Sequence, residues 1–124
     1  MSNILILGPN HQGECLVMSS SKVGWVIAQF WSWDNCPNLS VATFDLVLIQ
    51  VVADGCGNEN AHTEKVLLNS EIAAFLSGRG VHSPFVCWDQ YGEVTRDGDF
   101  DERLLGFVTN KISGKLAVWA FRAG

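Results

Sequence analysis

The chain has 124 residues, of which 48% are hydrophobic and 17% charged. That is the make-up of one globular domain around a single sizeable core, and it excludes a disordered chain. The formal net charge is −5, with eight scattered lysines and arginines, so nothing supplies the basic stripe that nucleic-acid binding needs.

No apolar run approaches the ~20 residues of a membrane-spanning helix. Met1, Ser2 and Asn3 carry no basic charge and residues 4–7 are too short for a signal-peptide core, so a cytoplasmic location is expected. The cysteines at 15, 36, 56 and 87 contain no C-x-x-C spacing and are expected to be free thiols.

Residues 3–7 form an apolar run closed by Gly8 and Pro9, the pattern of a first strand buried on both faces. Residues 9–43 exceed what one helical crossover needs. They have room for a helix, a strand and a further turn or helix. Within them, Val23, Trp25, Ile27 and Trp31 share one face at period two, with Gln29 the exception, while Val23, Ile27, Phe30 and Trp31 also line up at helical spacing; Gly24 and the β-branched and aromatic content favour the strand. Asp34, Asn35, Cys36 and Pro37 are turn residues.

Residues 44–57 organise the rest. Leu46, Val47, Leu48, Ile49, Val51 and Val52 are interrupted only by Gln50 and end at Gly55 and Gly57. This reads as the central strand of a mostly parallel sheet. The loop after it, from Asp54 to Glu59 in sequence, lies at the carboxyl edge, where open α/β sheets bind ligands.

Asn60 is the expected cap of a helix whose apolar face is Leu68, Ile72, Phe75 and Leu76, stopped by Gly78 and Gly80. Residues 83–88 form the next strand, with a small hairpin around Tyr91 and Gly92. A second helix starts at Asp99, which has capping-box spacing to Glu102, carries the stripe Phe100, Leu104, Phe107, Val108 and Ile112, and stops at Gly114. Residues 116–121 read as a last buried strand.

The expected fold is therefore a single α/β domain over residues 1–124. It is a three-layer, doubly wound, mostly parallel sheet without a final helix. One face left bare in this way would favour a homodimer.

Residues 44–50, Phe-Asp-Leu-Val-Leu-Ile-Gln, resemble the third strand of response-regulator receiver domains, of flavodoxin-like fold. The resemblance extends in order over about 110 residues. It implies that the phospho-acceptor position is Gln50, and that the acidic pair after the first strand is replaced by Gly8, Pro9 and Asn10. Carboxylate oxygens for Mg²⁺ are then missing, so the resemblance implies a degenerate receiver-like domain that is not phosphorylated.

Residues 8–15 also have the G-x-x-x-x-G spacing of a phosphate loop. Glu14 and Cys15 stand where its Lys and Ser/Thr belong, which disfavours nucleotide hydrolysis. The two strand blocks distantly resemble those of SGNH-type esterases, with Pro9 in place of the nucleophilic Ser.

The residues with chemistry in them fall in the two loops after the first and central strands. His11 with Cys15, and Cys56 with His62, are candidate nucleophile and base pairs. Asn10, His11, Gln50, Asp54, Cys56 and Asn58 are candidate ligand contacts in the crevice between the loops. Cys56, His62, Asp54 and Glu59 have metal-binding atoms without a metal-site spacing, so no metal and no cofactor is expected.

Three functions follow as expectations. The first is a non-catalytic, homodimeric, receiver-like interaction module. The second is a small enzyme or small-ligand-binding protein using the crevice. The third is an acidic inhibitor or immunity-type protein whose face at residues 89–102 meets a basic partner.

Overall fold

The computed structural model describes residues 1–8, 11–50, 69–89 and 92–123. Among these, six strands form one mixed sheet: β1 (Ser2–Leu7), β2 (Gln12–Ser20), β3 (Gly24–Trp31), β4 (Leu46–Gln50), β5 (Phe85–Asp89) and β6 (Gly92–Asp97). Two helices accompany them, α1 (Asn69–Gly78) and α2 (Glu102–Ala123). The strand order is β2-β3-β1-β4-β5-β6. The inner four strands run parallel, and β2 and β6 close the two edges antiparallel to their neighbours.

The alternation within β1 and β4 explains why both read as unbroken apolar runs. Ile4, Ile6, Leu46 and Leu48 face one core cluster, with Val26, Ala28, Phe30 and Val86 beside them and Leu104, Leu105, Val108 and Ile112 of α2 on top. Leu5, Leu7, Val47 and Ile49 face the other, covered by Ile72 and Leu76 of α1 and by Cys36, Leu39 and Phe44 from the segment between β3 and β4. A strand whose successive side chains are all buried has no polar face to show in its sequence.

The three-layer, doubly wound, flavodoxin-like fold with no final helix is overturned by a six-stranded mixed sheet accompanied by two helices among the described residues. Residues 9–43 carry no crossover helix among the described residues. They form the antiparallel pair β2 and β3, turning back through Lys22 and Val23. The expected last strand at 116–121 lies inside α2. The stripe at 104, 108 and 112 continues in sequence at Leu116 and Trp119, so helical spacing wins over local apolar content. Gly114, expected as a stop, is carried within the helix at a cost of about 1 kcal/mol relative to alanine. A core cluster occupies each side of the sheet, so the bare face that motivated a homodimer is absent from the described structure.

The element ends follow their local chemistry. Gly80, at φ +77°, closes α1 in a Schellman arrangement, with Val81 N donating to Leu76 O (2.9 Å) and Gly80 N to Ser77 O (3.0 Å). The cap of α2 is Asp101, two residues later than expected. Its carbonyl accepts from Leu104 N and its Oδ1 from Arg103 N at 2.9 Å.

Arg96 of β6 is held by Glu93, at 2.7 and 2.8 Å, and by Glu102 at the start of α2. These pairs also neutralise part of the acidic stretch at 89–102 that was a candidate binding face, and Arg103 neutralises Asp101 likewise. The hydrogen bond from Arg96 holds the Glu93 carboxyl below its ordinary value. A lowered carboxyl contributes its stability above the ordinary carboxylate range, near pH 4. That contribution is lost as pH falls through the lowered value. The melting midpoints of the parent chain and Arg96→Ala are therefore expected to differ slightly at pH 7 and to converge as pH falls below the ordinary carboxylate range.

Candidate functional site

The carboxyl ends of the parallel strands meet at Gly8. Its amide extends the ladder by donating to Trp31 O at 2.9 Å. The next residue of the ladder on β4 is Gln50, and Gln50 is in register with Trp88 of β5. Gln50 shares its face with Leu46 and Leu48, and Trp88 packs on the same cluster as Val86. The two side chains are thus neighbours on the α2 side of the sheet.

His11 lies over the same row. Its ring packs on Phe30 at 5.1 Å between centroids. A Cβ on Gly8 would stand 2.7 Å from His11 Cδ2, 2.8 Å from His11 Nε2 and 3.3 Å from Gln50 Oε1. The missing side chain of Gly8 is therefore the space that lets imidazole and carboxamide converge. This is a close-approach use of glycine rather than a turn.

The support around His11 is local. Asn35 Nδ2 donates to His11 O at 3.1 Å, while Asn35 Oδ1 accepts from Ser32 N (3.1 Å) and Ser32 Oγ (2.7 Å). One amide so ties the end of β3 to the loop leaving β1. Glu14 Oε2 accepts from Gln12 N at 2.9 Å and stands 3.8 Å from His11 Nδ1. That separation is too long for a hydrogen bond and short enough for an ion pair when the ring is protonated.

Three polar side chains are buried among the described residues: His11 at 7% exposure, Ser32 at 7% and Gln50 at 5%. All three lie at this one end of the sheet. The indole Nε1 of Trp88 is also buried there, with no hydrogen-bond partner among the described residues. The row offers an imidazole, a carboxamide, a hydroxyl and an indole N–H against an aromatic wall.

Of the residues expected to form the site, His11 and Gln50 converge here. Asn10, Asp54, Cys56, Asn58, Glu59 and His62 lie outside the described residues. Cys15 does not join His11. Alternation along β2 sets Leu16 and Met18 toward the α2 side, where His11 and Phe30 lie, and Cys15 toward the other.

Sequence reasoning missed Ser32, Asn35 and Trp88. Ser32 and Asn35 have the Ser-x-x-Asn spacing of a local side-chain bridge, a signal overlooked in a stretch read only as a turn. Trp88 became visible only with the register of β4 and β5.

The thiols separate by burial. Cys87 is pushed up to about 11 by burial, and burial likewise raises Cys36, partly offset by the charge of Arg79. Cys15 is exposed. Brief iodoacetamide treatment at pH 7.5 followed by peptide mass mapping is expected to alkylate Cys15 and leave Cys36 and Cys87 intact, because the thiolate is the reacting form.

At the opposite end of the sheet a cleft of about 420 Å³ is bordered by Lys22, Asp45, Phe100, Asp101 and Arg103. Three of its charges are engaged in structure: Asp45 Oδ2 accepts from Asn3 N at 2.9 Å, and Asp101 pairs with Arg103 at 3.0 Å. Among the described residues no group of three or more His, Cys, Asp or Glu is arranged to hold a metal ion, and no helix is long and apolar enough to cross a membrane. Comparison of the chain with protein-family models, with characterised proteins and with solved structures finds no match to any of them.

Proposed function

We propose that the chain is a non-catalytic binding protein that takes a small polar ligand at the row formed by His11, Gln50 and Trp88. The observation that carries this reading is the concentration of buried polar side chains at the carboxyl end of the parallel strands. Polar side chains are mostly kept out of protein cores. Polar groups gathered where open parallel sheets bind ligands support a recognition role over a structural one.

The chemistry of the row supports a neutral ligand. Gln50 presents both a donor and an acceptor, and Trp88 presents a donor. The Glu14 carboxylate, 3.8 Å from His11, opposes an anionic group. Binding rather than catalysis is supported by Cys15 standing on the far side of the sheet, away from the one described histidine at this end.

The test is a thermal-shift panel of nucleosides, free amino acids and neutral sugars on the parent chain and on Gln50→Leu. At least one compound is expected to raise the parent's melting midpoint; saturation at 100 times Kd adds about 2.7 kcal/mol. Gln50→Leu is expected to fold with a stability within about 1 kcal/mol of the parent and to show no shift with that compound. A compound that stabilises both proteins equally would remove the row as the site. The absence of any shift across the panel would count against the reading.

A further inference from the structure

The two edges of the sheet are finished differently. β6 carries Glu93, Arg96 and Asp97, has a bulge between its pairings to Cys87 and Trp88, and is tied to α2 through Arg96 and to α1 through Thr95 and Asn69. Charge, bulge and cover are the ways proteins keep an edge from pairing. β2 has one irregularity, at Gly13, near its start. Beyond it, the seven residues 14–20 pair regularly, and their only charge is Glu14.

The surface beside that edge is apolar. Val17 and its neighbour Trp25 on β3 are each 58% exposed. Val17 is in register with Ile27, and Ser19 with Trp25. On the other side of the same ribbon, Leu16 and Met18 continue the core cluster under α2 out to the last strand.

We propose that β2 is the interface of a two-fold homodimer, pairing antiparallel with β2 of a second copy about an axis at Val17. The second copy is favoured because the strand is complementary to itself. In antiparallel pairing, opposed residues share a face, so a symmetric register must pair even with even and odd with odd. The regular stretch 14–20 is centred on Val17, and only an axis there overlaps it completely.

That register sets Val17 against Val17 and Leu16 against Met18. Cys15 then meets Ser19, and Glu14 meets Ser20. Ile27, Val17 and their two counterparts form one apolar row across the seam. Leu16 and Met18 extend the α2-side core into the other subunit. Glu14 of each copy faces an uncharged serine, and no like charges oppose. Shifting the axis toward Glu14 would bring the two carboxylates together and shorten the overlap. This interface arises from the edge and owes nothing to a bare sheet face.

The test is sedimentation velocity at ~100 µM, well above a micromolar dissociation constant, combined with a register-specific disulfide. The parent chain is expected at twice its 13.6 kDa. Val17→Glu is expected to sediment as a monomer with an unchanged circular dichroism spectrum, because the side chain it replaces is exposed. In a Cys15→Ser background, Val17→Cys is expected to form an intersubunit disulfide on mild oxidation, with the residue-17 peptide linked to its own copy. Opposed Cα atoms lie about 4.5–5.5 Å apart, inside disulfide reach. Ser20→Cys in the same background should not crosslink, since the two copies would be about 20 Å apart along the strands. A monomeric parent, a dimer that survives Val17→Glu, or equal crosslinking at 17 and 20 would overturn the proposal. So would a β2 edge that pairs only with a strand from a different protein.

Discussion

Replacing Gly8 by alanine is expected to expel the His11 ring from its position over the end of β1. The new methyl would stand 2.7 and 2.8 Å from two ring atoms, closer than carbon packs against any neighbour. The ladder bond from Gly8 N to Trp31 O keeps the backbone from moving away, so the ring must yield. It then gives up its contact with Phe30 and its place beside Gln50 Oε1. Overpacking of this kind costs about 1–3 kcal/mol. The expected result is a lower melting midpoint together with shifted His11 ring resonances in a ¹H–¹³C spectrum. Loss of stability with unmoved His11 resonances would mean that the strain is relieved elsewhere and that Gly8 does not shape the site.

Leu48→Ala is expected to have the larger effect on stability. Leu48 is fully buried on β4, in register with Ile6 on one side and Val86 on the other, beneath α2. Truncating such a leucine removes its transfer free energy and leaves a cavity that strands fixed on both sides cannot close, a loss of about 2–5 kcal/mol. That is a large share of the ~5–15 kcal/mol that holds a typical domain together. Urea titration followed by circular dichroism should show a midpoint well below the parent's with the same slope. A change near zero would place Leu48 outside the core.

The contrast between these two residues shows what the sequence carried. Leu48 was legible because a short apolar run rich in β-branched residues and followed in sequence by Gly55 and Gly57 favours a strand covered on both faces, and the structure buries each side chain of residues 46–49. The helix faces at Ile72 and Leu76, and at Leu104, Val108 and Ile112, were legible for the same periodic reason. The antiparallel pairing of β5 with β6 falls where a small hairpin around Tyr91 and Gly92 was expected.

Residues 116–121 misled because a short apolar run suits a buried strand and a buried helix equally. The choice depended on continuity with Ile112 four residues before. Residues 9–43 misled because β2 is an edge strand. Its polar residues hid the alternation of Leu16 and Met18, and no local signal announced a strand in place of a crossover helix.

The candidate site was half legible. Gln50 stood out as the one polar residue in an apolar strand, and His11 as a titratable residue after the first strand. Their convergence rests on the register of β1 with β4 and on the absent side chain of Gly8, neither of which a one-dimensional pattern carries. Trp88 reads as core by composition, and its indole N–H acquires a role only because the ladder sets it beside Gln50.

The most direct test of the binding reading is a ¹H–¹⁵N amide titration with a compound that raises the melting midpoint. The account predicts that the amides of Gly8, Ser32 and Gln50 and the indole N–H of Trp88 move together and saturate at one dissociation constant, while Asn3, Lys22 and Asp45 at the other end stay fixed. Shifts confined to the amino end of the sheet, or spread evenly over the chain, would contradict it.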